Sequence, residues 1–192
     1  RELVAPPLIA VADGMGGHRG GGTAAGMAVD ALRAVGGSGE PADLLGALRD
    51  ANAAIAAAAD ADPELAGMGT TATAAIVDAG VLYLVHVGDS RAYLVRGGRI
   101  LQVTDDHSIV AEMVRRGALS PNDAESHPAR HVITRALGVD DDVQVDALRV
   151  DLEPGDVVLL CTDGLSGPLD DAGILGVVEG AGTLQDAADA LV

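Results

Sequence analysis

The feature that most constrains the fold is a stretch from Gly69 to Thr104 in which apolar, β-branched runs follow one another with only short turns between them. The runs are GTTATAAIV, VLYLVHVGD and RAYLVRGGRILQVT, and the last contains a Gly97-Gly98 turn typical of a β-hairpin. Strands joined directly by hairpins pair antiparallel, whereas parallel strands need a longer crossover between them. This stretch therefore favours an α+β sandwich with antiparallel sheets over a doubly wound parallel sheet.

Helical patterns are inserted in pairs rather than after every strand. Apolar residues recur at helical spacing from Gly22 to Gly36. A second helix follows Pro41, with one face formed by Leu44, Leu45, Leu48, Ala51, Asn52 and Ile55. The remaining pattern predicts strands over 7–12, 143–150 and 156–164, helices over 107–117 and 172–192, and a polar surface flap over 119–138. We find no linker that divides the chain, so we expect one domain over residues 1–192.

The negative charge of the chain argues against some classes of binding partner. Acidic residues outnumber basic residues 29 to 12, giving a net charge of -17, and every basic residue is arginine. This balance argues against nucleic acid and against anionic membrane surfaces. The longest apolar candidate for a membrane span, 72–87, is interrupted by Asp78 and Gly80. The single cysteine, Cys161, excludes disulfides within the chain and indicates a reducing, cytoplasmic compartment.

Three acids stand where a predicted strand gives way to glycine or a turn. They are Asp13 in VADGMGG, Asp89 in HVGDSRAY and Asp163 in LLCTDGL. Each one alone is explained as a helix cap or a turn residue. If the strand ends converge, however, the three carboxylates repel one another and need a compensating cation. Oxygen ligands of this kind select Mg²⁺ or Mn²⁺, and Gly14 would let its carbonyl approach such an ion.

Hydrolysis of phosphate esters is the chemistry that such a cluster suits best. Bound divalent ions would reverse the local field of an acidic protein, activate a water and clamp phosphoryl oxygens. Competing motifs are weaker. A Walker loop needs lysine, which the chain lacks; a cysteine phosphatase needs an arginine soon after Cys161; and no G-x-S-x-G elbow is present. Residues 20–25 fit G-x-G-x-x-A, a weak dinucleotide signal.

Five segments in order resemble the bacterial branch of the metal-dependent serine/threonine protein phosphatases (type 2C, PPM). They are VADGMGGH, GTTATAAIV, LYLVHVGDSRAYLVRGGRILQVTDDHS, HPARHVITRALG and DVVLLCTDGL. The resemblance implies two mostly antiparallel sheets packed as a sandwich with helices on both outer faces, and a binuclear Mn²⁺ or Mg²⁺ centre in a cleft at one edge. It implies that Asp13 bridges the two ions, that Gly14 supplies a carbonyl ligand and Asp163 a carboxylate, and that Asp89 holds a third, weaker ion.

The reaction that the resemblance implies is hydrolysis of phosphoserine and phosphothreonine on proteins, opposing a serine/threonine kinase. Phosphorylated proteins and a kinase are then the expected partners, and we expect a monomer. Residues 119–131 match the mobile flap beside the cleft.

The five histidines are weighed separately. His18 is close enough in sequence to the predicted centre to contact substrate, whereas Met15 occupies the position of a proposed general-acid histidine in animal members. His86 is expected to be a core histidine, and His107 a turn or helix-start residue. His127 and His131 are expected to face water.

Two family elements are missing from the pattern. Family members have a strand with a phosphate-binding arginine and an acidic motif before the segment that here begins at Arg1. They also have a Gly-Arg-Asp-Asn-like motif with a metal ligand after the segment that ends at Val192. We therefore expect a chain that lacks the first strand or strands and the last strand. The alternative hypothesis is a catalytically incomplete, phosphatase-like regulatory or phosphoprotein-binding module.

Overall fold

The computed structural model describes residues 2–5, 8–36 and 41–192, and the side chains of these residues except 2–5, 18 and 36. The strands within these residues are β1 Glu2–Ala5, β2 Leu8–Val11, β3 Gly14–Met15, β4 Gly69–Thr70, β5 Ala72–Asp78, β6 Val81–Val87, β7 Arg91–Arg96, β8 Arg99–Gln102, β9 Asp146–Asp151 and β10 Val157–Cys161. The helices are α1 Gly17–Gly36, α2 Asp43–Ala61, α3 Ile109–Arg115, α4 Pro121–Glu125, α5 Asp163–Ser166, α6 Asp171–Gly180 and α7 Leu184–Leu191, with a 3-10 turn at Pro63–Leu65.

The strands form antiparallel sheets. The larger sheet has the order β1-β2-β5-β6-β9, the smaller has the order β10-β7-β8, and β3 pairs with β4 in a two-stranded ribbon. Each neighbouring pair is antiparallel. The β7–β8 hairpin turns at Gly97 and Gly98, which have φ angles of 54° and 74°. Positive φ at both positions is what a tight hairpin turn requires, so the predicted turn is confirmed.

Within the described part of the chain, three apolar clusters stack the elements into four layers. One cluster joins α1 and α2 to the larger sheet and includes Leu32, Leu48 and Ile76. A second, which includes Leu84 and Ala92, lies between the two sheets. The third packs α6 on the smaller sheet through Tyr93, Cys161 and Ile174. The predicted α+β sandwich with helices on both outer faces is confirmed.

Two predicted boundaries differ from the structure because of contacts between distant residues. Helix α1 begins at Gly17, not at Gly22, because its glycine-rich first turns pack closely against β3 and Met68. The run 69–77 forms two strands, because Thr71 leaves the ladder and bonds the main chain of Asp13. Tertiary contacts override intrinsic propensity at both places.

The flap segment, defined here as residues 119–138, runs from the end of α3 toward β9. It contains the short helix α4, which Ser120 caps by accepting a hydrogen bond from Asp123 N. Its last part is anchored to the core, since Leu137 N donates to Thr70 O at 2.9 Å and Leu137 is fully buried. Among the described residues we find no helix with the length and apolar character needed to cross a membrane.

Candidate metal centre

The three predicted acids line one cavity of about 240 Å³. Asp13 follows β2, Asp89 lies in the turn between β6 and β7, and Asp163 is the first residue of α5. The other residues that line this cavity are Gly14, Met15, Thr71, His131 and Ile133. Residues from the beginning, middle and end of the chain thus meet at one edge of the sandwich.

The main chain of Asp13 is held on both sides by two threonines that precede β5. Thr70 Oγ1 and Thr71 N both donate to Asp13 O at 2.9 Å, and Asp13 N donates to Thr71 Oγ1 at 3.0 Å. Thr71 Oγ1 also lies 2.7 Å from Ser90 Oγ, next to Asp89. These hydroxyls therefore connect the backbone of one acid to the turn that carries another.

These positioning hydroxyls were not predicted from the sequence. The available signal was the pair of threonines after Gly69 and the serine after Asp89, small polar residues beside two candidate ligands. Their buried positions distinguish them from ordinary turn residues: Thr70 and Ser90 are fully buried and Thr71 is 4% exposed. Buried hydroxyls are retained where hydrogen bonds satisfy them, as they do here.

The carboxyl groups of Asp13 and Asp163 are close enough to share a hydrogen bond. Burial, and then the negative charge of Asp163, raise the pKa of Asp13 above its ordinary value. Burial, followed by the charges of Asp163 and Asp106, raises the pKa of Asp89 to about 6. No arginine is among the described residues that line the cavity.

This donor set fits a hard divalent cation better than a soft one. Partly buried carboxylates without a positive neighbour are stabilised when a cation joins them. Among the described residues no group of three acids, histidines or cysteines is close enough to form one ready-made ligand set. The carboxyl of Asp13 interacts most closely with that of Asp163, whereas Asp89 interacts with Asp163 more than with Asp13. Mg²⁺-type ions accept such sites because they keep several water ligands.

Gly14 lines the cavity, but its lack of a side chain has a packing reason. A Cβ built on Gly14 would lie 1.9 Å from Gly21 O, and one built on Gly21 would lie 2.5 Å from Gly14 O. The sequence interpretation, that glycine lets its carbonyl approach an ion, therefore misses a steric requirement for both glycines. The close contact brings the first turns of α1 against the cavity wall.

The histidines occupy different environments. His18 lies in the first turn of α1, but its side chain is outside the part of the chain that the structure describes. His86 is a fully buried core residue, as predicted, and its ring bonds Thr73 Oγ1 at 2.9 Å and Asp105 O at 3.1 Å. His131 is exposed, as expected, and also lines the cavity. His107 lies just before α3, as expected for a helix-start residue, and it is 2% exposed.

Two competing motifs are not supported by their surroundings. Residues 20–25 lie inside helix α1 instead of at a strand-to-helix turn, so the dinucleotide interpretation is wrong. Cys161 is buried at the end of β10, and burial raises the pKa of its thiol to about 11. A protonated, buried thiol does not act as a nucleophile.

Comparison with known proteins agrees with this geometry. A family model described as protein phosphatase 2C matches residues 2–182. The serine/threonine phosphatase stp of Listeria innocua is 38% identical over 200 residues, covering 97% of this chain and 77% of that protein. The serine/threonine protein phosphatase PstP of Mycobacterium tuberculosis is 43% identical over 172 residues, covering 88% of this chain and 33% of that protein.

Solved structures give the same result. The crystal structure of the Mycobacterium tuberculosis serine/threonine phosphatase PstP/Ppp superposes with a TM-score of 0.93 at 39% identity, covering 100% of this chain and 82% of that one. The catalytic domain of PstP in complex with two manganese ions superposes with a TM-score of 0.90 at 37% identity, covering 100% of this chain and 81% of that one. The chain is thus similar along its full length to a domain that binds two manganese ions.

Proposed function

The chain belongs to the protein phosphatase 2C family, and from that premise we propose that it hydrolyses phosphoserine and phosphothreonine on proteins with Mn²⁺ or Mg²⁺. The observation that carries the proposal is the meeting of Asp13, Asp89 and Asp163 at one cavity without an arginine among its described lining residues. The manganese-bound relative supports the choice of metal.

We assign Asp13 and Asp163 as carboxylate ligands of a binuclear centre, Gly14 as a carbonyl ligand, and Asp89 as the ligand of a third ion. When bound, the ions would polarise a water and neutralise phosphoryl oxygens, a role that two-metal sites perform in phosphatases. The hydrogen bonds of Thr70 and Thr71 with the main chain of Asp13 fix the backbone that carries this carboxylate before any ligand binds. Such preorganisation reduces the rearrangement needed during the reaction.

The shape of the cavity suits a phosphorylated side chain. Its volume of about 240 Å³ leaves room for a phosphoryl group and several waters, because one water occupies about 30 Å³. His131 and Ile133 place one polar and one apolar side chain of the flap segment at its wall. We propose that these two side chains contact the substrate next to the phosphoryl group, and that His18 contributes from the start of α1.

The charge of the protein makes the ions necessary for substrate binding as well. At -17 the protein repels phosphate esters, and the cavity itself adds three acids. Bound divalent ions reverse that field locally. We infer that the substrates are proteins phosphorylated by a serine/threonine kinase, and that the reaction takes place in the cytoplasm on a monomeric enzyme.

The test is phosphate release from a phosphothreonine peptide by wild-type chain with Mn²⁺, with Mn²⁺ plus excess chelator, and with no metal. We expect release only with free Mn²⁺, and at least a hundredfold less in Asp13→Asn and Asp163→Asn. Asp78→Asn, at the exposed end of β5, is the matched control and should retain activity. Release in metal-free buffer would overturn the proposal, and tight peptide binding without release would favour the non-catalytic module.

A further inference from the structure

His107 lies behind the cavity wall, between the flap segment and the turn that carries Asp89. It is 2% exposed. His107 N donates to Gly88 O at 2.8 Å, and His107 O accepts a hydrogen bond from Thr134 N at 2.8 Å. The main chain of this one residue therefore bonds both to the turn at residue 88 and to the flap segment at residue 134.

The imidazole ring connects the same turn to Asp146, the first residue of β9. Its Nδ1 accepts a hydrogen bond from Gly88 N at 3.1 Å, so Nδ1 carries no proton. The neutral ring consequently carries its proton on Nε2, which donates to Asp146 Oδ2 at 3.1 Å. Both ring nitrogens are used, and each holds a different element.

Asp146 also contacts the flap segment, through Arg135. Arg135 NH1 donates to Asp146 Oδ1 at 3.1 Å, so one carboxylate holds both the histidine ring and a flap arginine. Arg135 lies two residues after Ile133, which lines the cavity. The main chain of Ile133 pairs with that of Ser108, the residue after His107. Hydrogen bonds to a charged carboxylate are shorter and about twice as strong as hydrogen bonds between neutral groups.

We propose that His107 is a positioning residue that couples the flap segment to the Asp89 turn. Through it, substrate engaged by His131 and Ile133 and an ion held by Asp89 influence each other's binding. The consequence for binding rests on the proposed function, but the mechanical link between Gly88 and the flap segment does not. Coupling of this kind is reciprocal, so a change made on the flap side must be felt at the turn.

The test is amide hydrogen exchange of Gly88 N in Asp146→Ala. Asp146 bonds the far side of the histidine ring from Gly88, so this substitution removes no bond made by Gly88 itself. We expect exchange at Gly88 and at Thr134 to become about tenfold faster together, which matches the loss of one hydrogen bond to a charged group. Amides in the centre of β5 and β6 should exchange at the wild-type rate.

The matched control is His127→Asn. His127 accepts a hydrogen bond from Ala129 N inside the flap segment, so its loss should leave exchange at Gly88 unchanged. Faster exchange at Thr134 with an unchanged rate at Gly88 would overturn the proposal. Equal acceleration throughout β5 and β6 would also overturn it, because that pattern reports general destabilisation instead of a specific link.

A second variant and a kinetic readout complete the test. His107→Asn keeps an acceptor near Gly88 N but is too short to reach Asp146, so it should reproduce the exchange pattern of Asp146→Ala. Both variants should raise KM for a phosphothreonine peptide about fivefold or more, the lower range of measured couplings, and leave KM for p-nitrophenyl phosphate unchanged. Equal changes for both substrates would contradict coupling through the flap segment. If wild type releases no phosphate, the proposed function fails while hydrogen exchange still decides whether His107 links the two regions.

Discussion

Gly14 and Gly21 approach each other so closely that neither position has room for a side chain. A Cβ on Gly14 would lie 1.9 Å from Gly21 O, a distance that no side-chain carbon tolerates. Because Gly14 lines the cavity and Gly21 lies in α1, this contact sets how near the helix comes to the candidate metal centre.

Substituting either glycine should therefore be severely destabilising. We expect Gly21→Ala and Gly14→Ala to lower the free energy of unfolding by about 3 kcal/mol or more, since the clash is with rigid backbone. Urea denaturation measures this. Gly22→Ala is the matched control: it has open space around a built Cβ and lies in the same helix, so it should stabilise by about 0.5–1 kcal/mol. A neutral Gly21→Ala would show that α1 does not pack as described.

Arg91 and Asp106 form a partly buried ion pair, whose contribution to stability can be measured. Arg91 Nε and NH2 both bond the Asp106 carboxylate, and the shortest distance is 2.7 Å to Oδ2. The Asp106 side chain is only 13% exposed. Arg91→Met should cost about 3 kcal/mol in the free energy of unfolding, because it leaves a carboxylate in a partly buried site without its cation.

The double variant Arg91→Met/Asp106→Leu should recover much of that loss, since no unpaired charge remains. Arg33→Met is the control, because its pair with Asp30 is exposed on both sides and should be worth less than about 1 kcal/mol. Denaturant titrations of wild type, Arg91→Met, Asp106→Leu and the double variant give the coupling free energy between the two side chains. Strict additivity of the two single substitutions would contradict a paired, buried Arg91.

Because His86 is buried, we expect the protein to lose stability in mild acid. Burial, and then the charge of nearby His107, lower the pKa of His86 from 6.5 to about 4. The unfolded chain therefore takes up this proton before the folded chain does, so stability is full above pH 6.5 and falls as the pH drops toward 4. Between pH 7 and pH 5 the loss from this residue should be about 2 kcal/mol.

Urea midpoints measured at pH 7, 6 and 5 test the sign and the window. His86→Gln should be less stable at pH 7, because it loses the bonds to Thr73 and Asp105, but should depend less on pH. A wild-type protein more stable at pH 5 than at pH 7 would contradict a neutral, buried His86.

Substitution of Asp13 should stabilise the metal-free protein but weaken its binding of Mn²⁺. Burial and the charge of Asp163 raise the pKa of Asp13, so the ionised pair destabilises the metal-free fold at neutral pH. Asp13→Asn should therefore raise the melting temperature without metal. It should also weaken Mn²⁺ binding at least ~100-fold, the upper end of the loss seen when even an outer-shell partner is removed.

Melting curves with and without Mn²⁺ separate these two effects. Wild-type protein should gain stability from Mn²⁺ because the ion binds the folded state. Asp13→Asn should gain little, and Asp78→Asn, at the exposed end of β5, should behave as wild type. A lower melting temperature for metal-free Asp13→Asn would show that the two carboxyls do not repel each other.

Local signals predicted much of the fold. The Gly97-Gly98 hairpin and the buried face of α2 follow from turn chemistry and helical spacing, which depend on neighbours in the sequence. The start of α1 and the break at Thr71 do not, because both are decided by residues far away in the chain. Met68 packs on the glycines of α1, and Asp13 takes Thr71 out of the ladder.

In the candidate site, too, some residues could be predicted from the sequence and others could not. Acids at strand ends mark Asp13, Asp89 and Asp163 as potential ligands, but only the order of strands in the sheets brings them to one cavity. The residues that hold them have no local signature of that role. His107 looks like a helix-start residue in sequence, and its bonds to Gly88 and Asp146 appear only in three dimensions.

Anomalous diffraction from crystals of this chain soaked in Mn²⁺, recorded on both sides of the manganese absorption edge, tests directly whether Asp13 and Asp163 hold a metal ion together. We expect a manganese peak within ligand distance of carboxylate oxygens from both Asp13 and Asp163, with a weaker peak at Asp89. A map without a peak between Asp13 and Asp163, or with manganese only at acids outside the cavity, would contradict it.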